Sequence, residues 1–152
     1  MSMQARIQLV HRLVFQDEVA DTDLLNPLKT DTSLIALLLD VTKIHRLEIT
    51  AVRSDHRDDG GGHSHSNGYA ADCWPIYHDS GSYYPAEGIS MDDFLSVCRR
   101  SIWLYQIGLG GEAFTNRNLM AAGPTAFEDN GQDHIHLGSE EKWSTTLNEF
   151  PS

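Results

Sequence analysis

Met3, Ile7, Val10 and Val14 fall three or four positions apart, so the spacing predicts an opening helix over residues 3–15. A connection containing Pro27 follows from Asp21 to Asp31. Asp31 or Thr32 then caps a second helix, with Leu34, Ile35, Leu38, Leu39 and Val41 as its apolar stripe. At Leu47 the period changes. Leu47, Ile49 and Ala51 alternate with Glu48, Thr50 and Val52, the mark of a half-buried strand, which ends at Arg53. Residues 54–64 are rich in Asp, Gly and His and break both periods. Gly68 to Ile76 is strand-like again, and Pro75 to Gly88 is a loop bearing Tyr and Gly. Ser90-Met91-Asp92-Asp93 has the form of a capping box opening a helix through Phe94, Val97, Cys98 and Ile102. Leu104 to Leu109 reads as a buried strand closed by Gly110-Gly111, residues 115–122 as a loop or short helix, and Asp133 to Leu137 as a last strand. Helices first and short strands later predict an α+β domain, a small antiparallel sheet with flanking helices.

Composition narrows this picture. No repeat or long linker divides the 152 residues, so 1–152 reads as a single domain able to bury a core without disulfides. The formal charge of −11, from 11 Lys and Arg against 22 Asp and Glu, argues against a nucleic-acid partner, because phosphate binding draws on a basic surface. Two cysteines, Cys73 and Cys98, are too few for a disulfide framework and read as small core residues. Residues 1–17 lack the apolar block and cleavage site of a signal peptide, which predicts a chain made in the cytoplasm whose export would need help from elsewhere. No segment approaches the length of a membrane span.

Candidate chemistry concentrates in two runs. Ser64-His65-Ser66-Asn67-Gly68-Tyr69-Ala70-Ala71-Asp72 offers a histidine and a carboxylate seven residues apart, and Asp133-His134-Ile135-His136 offers two more histidines beside an acid. Together they can supply three protein ligands for a zinc ion, with a fourth position open to water. On a strand, His134 and His136 share a face, so one can bind metal while the other meets substrate. Asp133 starts on the opposite face or in the preceding turn. Gly68 permits a backbone conformation or close approach that a side chain would block.

The pattern Ser-His-x-x-Gly-x-Ala-x-Asp, followed by a terminal Asp-x-x-His or His-x-His, resembles the zinc peptidases related to D-alanyl-D-alanine carboxypeptidases, L-alanyl-D-glutamate endopeptidases and lysostaphin. Val52-Arg53-Ser54 matches that group's Arg-Ser element, and the resemblance covers roughly residues 30–138. It implies that His65, Asp72 and His136 bind zinc, that Asp133 is the general base, and that Arg53 stabilises the developing oxyanion. His134, in the lysostaphin-like pattern, competes with Asp133 for the base and is otherwise a contact to substrate. The implied substrate is a peptidoglycan peptide, cleaved at an amide bond by carboxypeptidase or endolysin-type endopeptidase action.

Other polar residues have plainer readings. His11, His45 and His78 complete no site, while His56 and His63, in the acidic Gly-rich loop, read as exposed residues with room to touch substrate or a second metal. Trp74, Tyr83, Tyr84 and Trp103 suit a core better than a substrate groove. Gly108-Leu109-Gly110-Gly111 lacks the ending of a phosphate loop and reads as a tight turn beside the site. Two rival functions stand beside the peptidase: an inactive zinc-binding module of the same fold that binds cell wall or a protein partner, and a metal-dependent nuclease built on Asp55, His56, His63 and Asn67. The nuclease leaves Asp72 and the His134/His136 pair unexplained and runs against the charge.

Overall fold

The computed structural model describes residues 2–16, 18–54, 64–77 and 81–141. His56, His63 and His78 lie outside them, as do Asp55 and the greater part of the acidic loop. Five helices and six strands follow in the order α1 (Met3–Arg12), β1 (Leu13–Phe15), α2 (Glu18–Leu25), α3 (Thr32–Thr42), β2 (Arg46–Ala51), β3 (Ala70–Ile76), α4 (Ile89–Arg100), β4 (Leu104–Gly110), α5 (Asn116–Ala122), β5 (Ala126–Glu128) and β6 (His134–Ser139). A short 3-10 turn, Gly111–Ala113, joins β4 to α5.

The strands form one sheet in the order β1-β2-β3-β6-β4-β5. The four central strands pair antiparallel. The rims differ from expectation: β1 and β5 pair in parallel with β2 and β4, so the sheet is mixed. Both rim strands are three residues long, too short to carry a period of two, which is why the pattern does not reveal them.

Period-two alternation gives the sheet two unlike faces. Leu47, Ile49, Ala71, Cys73, Ile107, Leu109, Ile135 and Leu137 bury one face in a core shared with Leu34, Leu38, Phe94 and Leu95 of the helices. Each such large apolar side chain contributes about 1.5–3 kcal/mol by leaving water. Glu48, Thr50, Asp72, Trp74, His134 and His136 project from the other face. Cys73 and Cys98 are buried free thiols, and burial raises the pKa of both. Among the described residues, no helix is long and apolar enough to cross a membrane.

Three local expectations are corrected. The first helix stops at Arg12 and buries Arg6 and Leu9, whereas Met3 and Ile7 of the expected stripe are exposed. The expected connection from Asp21 contains most of α2, which buries Ala20 and Leu24. In α4, Gly88 takes the cap position without a side-chain hydrogen bond, so the Ser90 capping box does not form, and Ile102 lies beyond the helix, exposed. Asp31 does cap α3, accepting a hydrogen bond from the Ser33 N–H at 2.9 Å.

Arg6 organises the N-terminal helices. Its guanidinium is buried, with Nη1 donating to the Leu24 carbonyl and the Thr30 hydroxyl and Nη2 to the Thr30 carbonyl, each at 2.8 Å. Asp23 of α2, also buried, accepts from the Arg53 and Ser54 N–H groups at 3.1 and 2.7 Å and from the Ser54 hydroxyl at 2.7 Å. These contacts fix the end of β2, where the candidate site begins.

Candidate metal centre

The site lies on the uncovered face, along one row of the sheet. Asp72 of β3 pairs with His136 of β6, which pairs in turn with Gly108 of β4. His65 joins from a turn whose closure depends on Gly68: φ is +78°, and a Cβ there would stand 2.4 Å from the Lys29 carbonyl oxygen. His65, Asp72 and His136 are all at least nine-tenths buried. His65 Nε2 is 3.2 Å and His136 Nδ1 3.3 Å from the same oxygen, Asp72 Oδ1, and the two rings meet edge-on at 5.0 Å.

The chemistry of this set fits a cation. His65 Nδ1 faces the Val52 carbonyl at 2.5 Å, a partner that can only accept. A proton therefore sits on Nδ1, and Nε2 is the nitrogen that faces Asp72. His136 is braced from behind as well: the Gln106 side-chain amide nitrogen lies 3.4 Å from its Nε2 and donates to it, which leaves Nδ1 facing Asp72. Two ring nitrogens and a carboxylate oxygen thus converge in a buried space, where protons on the rings or a cation between them balance the carboxylate. Ligands about 2.0–2.1 Å from a tetrahedral zinc stand about 3.3 Å apart, close to the spacings between Asp72 and the two rings.

A second pair adjoins this set. His134 Nε2 lies 2.8 Å from Asp129 Oδ2 and 3.8 Å from Asp72 Oδ1, and His136 Nδ1 is 3.7 Å from Asp129 Oδ2. Burial works against charge on the His134 ring, but the Asp129 hydrogen bond, Asp72, the Gln132 carbonyl and the Asp129 charge more than reverse this and raise its pKa to about 9. Asp129 follows β5 and escaped the sequence reading, because nothing in its local pattern sets it beside His134.

The remaining candidates are held by the backbone. Asp133 occupies the turn before β6, where its Oδ1 accepts the Glu112 N–H at 2.7 Å, and it lines the same cleft as Asp72 and His134. The Arg53 guanidinium donates to the Leu28 and Lys29 carbonyls at 3.2 and 3.1 Å. It fastens the chain under the Gly68 turn and does not face the cluster.

Glycines clear the space for the rings. A Cβ at Gly108 would lie 2.9 Å from His136 Cβ and 3.0 Å from Asp129 Cβ, and one at Gly110 2.3 Å from His134 Cε1. Both belong to β4, opposite His136 and His134, so they serve as ring clearance within a strand rather than as the expected tight turn. Only Gly111, in the 3-10 turn, has a positive φ among the three, +59°. That alternation of two glycines against two histidines was a usable signal in the sequence.

A cleft of about 770 Å³ opens over the site, reached by Asp72 and His134 and walled by Trp74, Tyr83 and Tyr84. These three aromatics edge a groove, yet Tyr84 also belongs to the core, against which Trp74 and Trp103 both pack. Glu48, Glu112 and Asp133 also line the cleft, and no lysine or arginine does so among the described residues. His45 is structural: buried, its Nδ1 2.7 Å from the Tyr84 hydroxyl and its ring edge-on to Phe94. Comparison with known proteins finds no matching family model, no matching curated protein and no matching solved structure.

Proposed function

We propose that this protein is a zinc-dependent hydrolase of amide bonds acting on peptidoglycan peptides. The observation that carries the reading is the convergence of His65 Nε2, His136 Nδ1 and Asp72 Oδ1 beside a peptide-sized cleft that Asp72 lines. Zinc held by these residues would supply Lewis acidity, acidifying a water and polarising a carbonyl. The Val52 carbonyl and the Gln106 amide brace the two rings from behind, and the carbonyl holds the His65 proton on Nδ1. Asp129, oriented by His134 and partly exposed beside the cluster, takes the proton from the attacking water. Trp74, Tyr83 and Tyr84 offer apolar walls to a peptide, and the cleft's carboxylates favour a substrate carrying an ammonium group. The peptidoglycan assignment rests on the nine-residue motif and its downstream histidines.

The test is metal content and fragment release together. About one zinc per chain and release of peptide fragments from cell walls are expected, with both lost in His65→Ala and His136→Ala. A folded parent that takes up no zinc sinks the proposal. The placement of Asp133 on a backbone N–H and of Arg53 on backbone carbonyls favours a second reading, a zinc-binding module without turnover. Stoichiometric zinc without release of any fragment from any cell wall would select it.

A further inference from the structure

We propose that Asp72, Asp129 and His134 form a second divalent-cation site, sharing the Asp72 carboxylate with the first. The inference rests on the metal-centre reading above and deepens it. The Asp72 and Asp129 carboxylates and His134 Nε2 each offer an atom within 4.8 Å of the other two. The ring repeats the arrangement seen at His65: Nδ1 faces a backbone carbonyl, that of Gln132, at 2.6 Å, and Nε2 is directed at carboxylate oxygens. A carbonyl behind the ring and carboxylates before it are what a metal-binding histidine requires. Asp129 is about 30% exposed and His134 lines the cleft, so an ion arriving from the cleft reaches this set before the buried one.

The two sites are unequal. A second ion meets a carboxylate already shared with the first and a like charge close by, so it binds more weakly. Its ligands include Asp129, so the second ion removes the group that accepts the proton from water. Excess metal therefore inhibits hydrolysis while the first ion stays in place.

The experiment is a calorimetric titration of Zn²⁺ into the metal-free full chain, with native mass spectrometry for stoichiometry and circular dichroism as the check on folding. Two equivalents are expected in the parent, in steps at least tenfold apart in affinity. Asp129→Asn and His134→Gln each lose the weaker step and keep the tighter one, whereas His65→Ala loses the tighter step. One equivalent in the parent, unchanged in folded Asp129→Asn or His134→Gln, overturns the second site and leaves the hydrolase reading standing. Two equivalents in the parent and in both variants place the second ion elsewhere and also overturn it. A parent that binds none overturns the first site and the second with it.

Discussion

Two buried polar clusters flank the same sheet, and they are put together on different principles. Around Arg6, a buried cation meets only acceptors: the Leu24 and Thr30 carbonyls and the Thr30 hydroxyl close on its N–H groups at 2.8 Å. The cluster fastens α1 to the end of α2 and the start of α3, while the buried Arg6 Nε finds no hydrogen-bond partner among the described residues. Around Asp72, ring nitrogens and a carboxylate oxygen crowd one point. The His65 and His136 nitrogens come to 3.2 and 3.3 Å of Asp72 Oδ1, with the His65 Nδ1–H turned to the Val52 carbonyl. Three ligand-type atoms within reach of one another are a place for a cation. Burial alone would not separate the two clusters; the kind of atom that converges in each does.

The contrast breaks first at Arg6. Arg6→Met is expected to cost about 4 kcal/mol, because the carbonyls it leaves lose charged donors worth about 1.5–3 kcal/mol each. Chemical denaturation should show the same loss with and without zinc. His65→Ala should behave in the opposite way. At a hundredfold excess over its Kd, zinc stabilises the parent by about 2.7 kcal/mol, and the variant should lack that increment while its metal-free stability stays close to the parent's. A parent whose melting point ignores zinc would erase the distinction between the clusters.

Support behind the ligands comes next. Gln106→Leu frees the back of His136, and Gly108→Ala drives a Cβ against His136 and Asp129. Each should weaken zinc binding by about 10–100-fold without unfolding the chain. Asp129 and Asp133 then separate the two candidate bases. Asp129→Ala should slow hydrolysis by about 10²-fold or more, whereas Asp133→Ala should cost about 1 kcal/mol of stability through the Glu112 N–H and leave the rate nearly intact. The reverse ranking would restore Asp133 as the base. The smallest effect belongs to the cleft wall. The Tyr83 phenol donates to Glu48 at 2.5 Å, and chiefly that bond, then burial and the Glu48 charge, raise its pKa to about 12. In Glu48→Gln an ultraviolet titration should find it moved back toward 10.0. An unmoved midpoint would assign the shift to burial.

The elements most legible in the chain were those whose period was long enough to count. The apolar run of α3 and the alternation of β2 both lie where the pattern places them, with Leu34, Leu38, Leu47 and Ile49 buried. At α1 the pattern misleads, because its buried face contains an arginine and no hydropathy rule places Arg6 inside. The His65, Asp72 and His136 trio was legible because ligand types recur at spacings that a turn and a strand can bring together. The direction of the Asp133 carboxylate was not legible, because the residue sits in a turn, and its Oδ1 accepts the Glu112 N–H.

By itself the sequence determined the α+β class, the helical core and the residues able to ligate a metal, since hydropathy period and donor type are properties of single positions and near neighbours. Only the tertiary structure decided that the sheet is mixed, that Gly108 and Gly110 make room for two rings, and that Asp129 and Gln106 stand beside them. Those facts depend on the register between β4, β5 and β6 and on which way each N–H points. Register and direction are set by contacts between distant segments, and no local pattern carries them.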